Sequence, residues 1–86
     1  MNKEKPVPEK NSKGLVYITE KYACEVSEYN GYYYQPHLNH CLHLHYKGFS
    51  KIQNLDKFIN LKTLYLENNC IRKIENLSHL KNLSAL

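Results

Sequence analysis

The sequence predicts an α/β solenoid, with short parallel strands on its concave side and helical or 3₁₀ turns on its convex side. Large apolar residues recur with a period of 22 residues, and the polar residues between them recur in the same register. Each unit also combines a strand-like alternation with apolar residues spaced three apart. A period that reproduces both core and surface indicates stacked repeats rather than one amphipathic segment.

The repeated units occupy residues 39–60 and 61–82, and residues 83–86 begin a third. Asn39 stands where the second unit has an apolar residue, Leu61, and residues 51–55 overlay residues 73–77. We expect the shared apolar positions to form the core. They are Leu42, Leu44, Phe49, Ile52, Leu55 and Phe58 in the first unit, and Leu61, Leu64, Leu66, Ile71, Ile74, Leu77 and Leu80 in the second.

Two internal patterns predict the structure of each unit. Leu64-Tyr65-Leu66 alternates apolar and polar residues, which suits a strand with its leucines inward. Asn69 follows where the chain leaves the strand, and its amide can bond backbone groups that no neighbouring strand reaches. The alternative is an ordinary turn asparagine. The apolar residues three apart then return the chain in helical or 3₁₀ turns, a pattern typical of leucine-rich repeats.

The residues before the repeats form two further segments. Residues 1–14 are rich in Lys, Glu and Pro, and they predict a disordered tail. Residues 15–38 form a lead-in and cap, with Thr19 as the N-cap of a short helix that ends before Asn30-Gly31. Tyr22, Ala23 and Val26 fall on one face of this helix, and an extended aromatic stretch over residues 32–36 follows it.

The number of repeats bears on the extent of the array. A repeat buries its apolar face by stacking on its neighbours, so about three units and polar caps are normally needed. Two units and the start of a third are present. We therefore expect an incomplete array, taken from a longer protein.

Composition limits the classes of partner and compartment. The 86 residues include 12 Lys and Arg against 8 Asp and Glu, a net charge of +4, and the first fourteen residues carry about half of this excess. Charges spread in this way do not favour a nucleic-acid or membrane surface. The three cysteines are widely spaced and form no disulfide framework, and the N-terminus lacks the apolar core of a signal peptide. We expect a cytoplasmic protein.

The candidate reactive residues cluster around the first strand. His37, His40, His43 and His45 with Cys41 suggest zinc, but no spacing typical of a closed four-ligand site completes the set. A nucleophile pairing Cys41 with His40 or His43 would lack a third group to orient it. No glycine-rich phosphate loop is present. We therefore expect no metal, no cofactor and no enzymatic activity.

The concave strand face is the better candidate site, because solenoids usually bind proteins there. In the 22-residue register, His40, Cys41 and Thr63 also fall on this face. Tyr46 and Tyr65 are the expected anchors, since aromatic side chains bury a large area at low entropic cost. The alternative is that each residue is an ordinary solvated strand residue. The predicted partner-binding residues are His43, His45, Tyr46, Lys62, Tyr65, Glu67 and Asn68.

The first unit carries a more specific pattern. Residues 38–49, LNHCLHLHYKGF, continue into SKIQNL. This run resembles the first repeat of the dynein axonemal assembly factor 1 family, leucine-rich proteins that pre-assemble ciliary dynein arms. Residues 18–36 are similar to the lead-in helix and Tyr-x-x-Pro-like connection of that family. Lys47, at the position of Asn69, is part of the family pattern, whereas Tyr32–Tyr34 are only loosely similar.

This resemblance implies a non-enzymatic scaffold that helps dynein chains, with chaperones, to assemble in the cytoplasm before transport into a cilium or flagellum. The second unit alone is shared by other leucine-rich proteins with 22-residue repeats. A regulatory subunit of a protein phosphatase and a dynein-associated leucine-rich light chain are therefore the alternative functions.

Overall fold

The computed structural model describes residues 4–85, which form a small α/β structure with short strands. Its two sheets have two strands each. No helix among these residues has the length and apolar character needed to cross a membrane. In chain order, the elements are β1 (Glu9–Lys10), β2 (Val16–Tyr17), α1 (Glu20–Tyr29), a 3₁₀ turn (Pro36–Leu38), β3 (Cys41–His43) and β4 (Thr63–Tyr65).

An antiparallel hairpin opens the structure. Glu9 lies opposite Tyr17 and Lys10 opposite Val16. The Asn11 side-chain oxygen accepts hydrogen bonds from the backbone N–H groups two and four residues later, which closes the turn. The structure thus differs from the predicted disordered tail over Glu9–Lys10, because residues 15–17 supply a pairing partner that composition does not reveal. Residues 1–3 of that segment lie outside the described residues.

Helix α1 has defined ends. The Thr19 hydroxyl accepts a hydrogen bond from the Tyr22 N–H at 3.0 Å, which confirms the predicted N-cap. At the other end, Gly31 adopts a φ of 88°. The Gly31 and Tyr32 N–H groups bond back to the carbonyls of Glu28 and Ser27, and this pair of bonds is the Schellman arrangement. The predicted helix end is also confirmed.

Strands β3 and β4 are parallel and lie in a 22-residue register. Cys41 pairs with Thr63, and Thr63 forms a further parallel bridge to Ala85. The hydrogen bonds repeat with the same period. The N–H groups of residues 62 and 63 both bond to the His40 carbonyl, and those of residues 84 and 85 both bond to the Lys62 carbonyl. The sequence period is therefore also a structural period.

The core lies between α1, the strands and the turns that follow them. From the lead-in it receives Ile18, Tyr22, Ala23, Cys24 and Val26, and the Tyr22 ring meets Phe49 edge to face at 5.9 Å. Among the predicted core positions, Leu66, Ile71 and Leu77 are partly buried against this cluster. Those that are fully buried are Leu42, Leu44, Phe49, Ile52, Leu55, Phe58, Leu61, Leu64 and Leu80.

Ile74 is a correction to the predicted core. Its side chain is 65% exposed, although Ile52, one period earlier, is completely buried. The turn around Ile52 is flanked by the following unit, which bonds to it through Cys70 and Asn76. The described residues include no segment that flanks Ile74 in the same way, so its burial as a core residue is not observed.

Asparagine side chains join each turn to its neighbours. Asn69 accepts from the Lys47 and Phe49 N–H groups and donates to the Leu44 and Leu66 carbonyls, at 2.7–3.0 Å. The buried Asn39 bonds to the backbone of residues 33 and 35. A polar residue is therefore stable at the position of Leu61, because the lead-in satisfies its amide.

A second pair of asparagines repeats with the 22-residue period. Asn54 and Asn76 both have left-handed backbones, with φ of 61° and 60°. Asn54 donates from its side chain to the Ile18 carbonyl, and Asn76 donates to the Ile52 carbonyl. Ile18 in the lead-in thus occupies the place that Ile52 occupies for the second unit.

Candidate protein-binding surface

Five rings meet on the outer face of β3 and β4, and we call them the aromatic surface: Tyr32, His43, His45, Tyr46 and Tyr65. The alternation along β3 explains their position. Leu42 and Leu44 point into the core, so the side chains of His43 and His45 point away from it. The parallel register then places Tyr65 beside His43.

The centre of this surface is a stack of three rings. His43 and Tyr65 lie 4.5 Å apart between centroids with an interplanar angle of 9°. Tyr32 stacks on His43 at 5.7 Å and 15°. His45 meets His43 and Tyr65 edge to face, at 5.8 and 6.2 Å. Stacked and edge-to-face geometries both stabilise aromatic pairs.

Burial and neighbouring charges set the electrostatics of the surface. The pKa of His43 is lowered, first by burial and then by His45, and Glu67 opposes this shift. Burial also lowers the pKa of Lys47, and Lys5 adds to the effect. The Nδ1 atom of His45 is buried without a hydrogen-bond partner within residues 4–85. The surface therefore disfavours additional positive charge.

Tyr46 has an unusual backbone. Its φ is 56°, in the left-handed region, and its side chain is 71% exposed. Asn68, one period later, has a φ of 61°. Asparagine adopts this conformation readily, whereas tyrosine adopts it at a cost. The centroids of the Tyr46 and His45 rings are 5.6 Å apart, so the strained residue belongs to the aromatic surface.

The other predicted binding residues lie at the margins. Glu67 acts electrostatically on His43, and its carbonyl accepts a hydrogen bond from the Tyr46 N–H. Lys62 and Asn68 are exposed immediately before β4 and in the turn after it. The structure therefore brings four of the seven predicted residues into ring contact, whereas Lys62, Glu67 and Asn68 make no ring contact and flank β4 in the chain.

The candidate reactive residues are not arranged for metal binding. In the described part of the chain, no group of three or more His, Cys, Asp or Glu side chains could hold a metal ion. Cys41 is half-buried on β3 and Cys70 is exposed. Burial raises the pKa of the third cysteine, Cys24, which disfavours its thiolate form.

Two residues of the site were not predicted from the sequence. The sequence predicts Tyr32 as part of an extended aromatic stretch, but in the structure the end of α1 places the Tyr32 ring on His43. Lys47 stands in the first repeat where the second repeat has Asn69, and it was not among the predicted binding residues. The signals were present, because an aromatic residue directly follows a helix-ending glycine, and a lysine replaces a structural amide.

The fold and this surface together define a small α/β protein whose parallel strands recur every 22 residues and expose aromatic side chains. The chain is 43% identical over 58 residues to a dynein axonemal assembly factor 1 homolog of Drosophila pseudoobscura pseudoobscura, a match that covers 67% of this chain. It is 40% identical over 63 residues to leucine-rich repeat-containing protein ODA7 of Chlamydomonas reinhardtii, which covers 73% of this chain. The predicted resemblance to the dynein axonemal assembly factor 1 proteins is confirmed.

These matches cover a small part of each relative. They span 4% of the Drosophila protein and 15% of the Chlamydomonas protein. Protein tilB homolog of Macaca fascicularis is 48% identical over 46 residues, which is 52% of this chain and 10% of that protein. No family model matches the chain. No solved structure matches it either.

Proposed function

We propose that this chain is part of a leucine-rich-repeat solenoid that acts as a non-enzymatic, protein-binding scaffold in the assembly of axonemal dynein arms. The observation that carries this proposal is the similarity to relatives named as dynein axonemal assembly factors. The 22-residue register of β3 and β4 supports the solenoid, because stacked repeats place equivalent residues side by side.

The proposed domain organisation places a lead-in and cap at residues 15–38 and repeats from residue 39 onward. Two contacts support the lead-in as a cap. The Ile18 carbonyl accepts from Asn54, and the α1 side chains are buried against the first repeat. A terminal segment of this kind covers the apolar face of the first repeat.

The proposed binding site is the aromatic surface with Lys62, Glu67 and Asn68 at its margins. Exposed tyrosines suit protein recognition, because they bury a large area while losing little side-chain entropy. The proposed partners are dynein chains or the chaperones that assist them. The proposed location is the cytoplasm, with the cilium or flagellum as a second location.

A chimera tests this function. The matching segment of the Chlamydomonas relative would be replaced by the segment of this chain, and expressed in cells that lack the relative. We expect the chimera to restore dynein arms, counted in electron micrographs of axoneme cross-sections.

The matched control is the same chimera with Leu44→Asp, which places a charge in the core and should restore no arms. If the unchanged chimera is stably expressed and restores no arms, the proposed function is wrong. Recovery of a protein phosphatase on the purified chain would then favour the phosphatase alternative.

A further inference from the structure

We propose that the aromatic surface binds an extended, acidic peptide segment of a partner protein, and that Lys47 holds a carboxylate of that segment. This inference rests on the proposed function, because it names the chemistry of the partner that the scaffold recognises. Four features support it: the unpaired charge of Lys47, the groove beside it, the orientation of the rings and the strained backbone of Tyr46.

Lys47 is a half-buried cation without a counter-ion. Within residues 4–85, the Lys47 ammonium group makes no ion pair. The ion pair observed in that range joins Lys73 and Glu75. Its pKa is lowered because burial and the nearby Lys5 disfavour its charge. An approaching carboxylate would offset both effects, since an opposite charge stabilises the charged form.

The position of Lys47 in the repeat strengthens this argument. One period later, the Asn69 side chain makes four hydrogen bonds to the backbone. Three of these groups, the Lys47 and Phe49 N–H groups and the Leu44 carbonyl, belong to the first repeat, so the amide of the second repeat stabilises both turns. The Lys47 side chain has no such role in the fold and remains available to a partner.

A groove runs beside the rings and carries positive charge. No Asp or Glu side chain is among the described residues that line it, whereas a second cleft, which Lys5 also borders, carries Glu25 and Glu28. Lys5 and Lys47 therefore both line this groove, and no carboxylate among its described lining residues faces them. The groove is lined by Lys5, Tyr29, Asn30, Tyr32, His43, His45 and Lys47.

The orientation of the rings favours a peptide over a nucleic acid. His43 lies between Tyr32 and Tyr65 in a nearly parallel stack, so its faces are already occupied. Single-stranded nucleic acids bind by stacking bases on free aromatic faces. Tyr32 and Tyr65 are 46% and 37% exposed, and their hydroxyls make no hydrogen bond within residues 4–85. These hydroxyls can donate to the carbonyl and carboxylate oxygens of an extended peptide.

Tyr46 supplies independent support for a binding role. Its left-handed backbone costs folding free energy that the asparagine at the equivalent position avoids, and its exposed ring contributes little to the core. Backbone strain of this kind clusters at binding sites. We therefore assign the Tyr46 ring to the partner contact, next to the carboxylate held by Lys47.

Fluorescence anisotropy of a labelled peptide tests the proposal on the full chain. The probe is a short peptide in which glutamate alternates with threonine, and its matched control has glutamine in place of glutamate. We expect the glutamate peptide to bind about tenfold more tightly, because hydrogen bonds to charged groups are stronger than those to neutral groups. Lys47→Met should abolish this difference, whereas Lys47→Arg should retain it. Lys51→Met, at an exposed lysine outside the groove, should also retain it.

Three results of the binding assay would overturn the proposal. They are equal binding of the two peptides, an undiminished preference in a folded Lys47→Met variant, and displacement of the glutamate peptide by an oligouridylate. The chimera separates this inference from the proposed function. If Lys47→Met leaves the restoration of arms intact, the inference fails while the scaffold function stands. If the glutamate preference is found but the unchanged chimera restores no arms, the proposed function fails while the surface assignment stands.

Discussion

At the scale of single residues, Tyr46 differs from the other described non-glycine residues that have a left-handed backbone. Asn54, Asn68 and Asn76 adopt positive φ, and asparagine tolerates this conformation well. Tyr46 is the exception, and its backbone matches that of Asn68 although its side chain does not. A tyrosine at this position therefore reduces stability and places an exposed ring beside His45.

Exchanging the residues at positions 46 and 68 tests how much stability the left-handed tyrosine costs. We expect Tyr46→Asn to raise the free energy of unfolding by about 1 kcal/mol, because the strain is relieved. Asn68→Tyr should lower it by a similar amount, and urea unfolding midpoints would measure both. Unchanged midpoints in both variants would show that the left-handed tyrosine carries no strain.

At the scale of structural elements, side-chain amides provide the backbone hydrogen bonds that longer strands would otherwise provide. Strands β3 and β4 are three residues each, so the turns after them have few backbone partners. The Asn69 amide bonds backbone groups of both turns, Lys47 in the first and Leu66 in the second. The stability of the first turn therefore depends on a residue of the second repeat.

Removing this amide should destabilise the whole structure. Asn69→Ala leaves two N–H groups and two carbonyls without their partner, and we expect a loss of about 3 kcal/mol in the free energy of unfolding. The control is Asn82→Ala at an exposed turn position, which should change stability by less than about 0.5 kcal/mol. Equal effects of the two substitutions in chemical unfolding would contradict the assigned role.

At the scale of the whole molecule, the sequence predicted the repeating pattern of strands and core residues. It did not predict the contacts that join the lead-in to the repeats. The 22-residue register and the ends of α1 follow from local patterns, and the structure has them. The stacking of Tyr32 on His43 and the bond from Asn54 to Ile18 join the lead-in to the first repeat, at spacings that the 22-residue period does not encode. The exposure of Ile74 has the same origin, since burial depends on a neighbouring segment.

The stability of the whole molecule should also depend on pH through His43. The pKa of His43 is lowered in the folded chain, whereas the unfolded chain has the ordinary value of 6.5. As the pH falls, the unfolded chain therefore takes up this proton at a higher pH than the folded chain does. Stability is therefore fully present above pH 6.5 and decreases as the pH falls below it. His43→Gln should flatten this part of a plot of melting temperature against pH. His37→Gln, at an exposed position, serves as the control, and an equal flattening there would refute the assignment.

The side-chain amides that donate between units all reach back along the chain, to carbonyls of an earlier segment. Asn54 reaches back to Ile18, Asn60 to His37, Asn69 to Leu44 and Asn76 to Ile52. These side chains thus donate to carbonyls that were synthesised earlier. During translation, the acceptors of these amides are already present, but the Lys47 and Phe49 N–H groups of the first turn have to wait for the Asn69 side chain. We therefore expect the first turn to become ordered only after the second repeat has left the ribosome, so that a nascent chain folds by pairs of repeats.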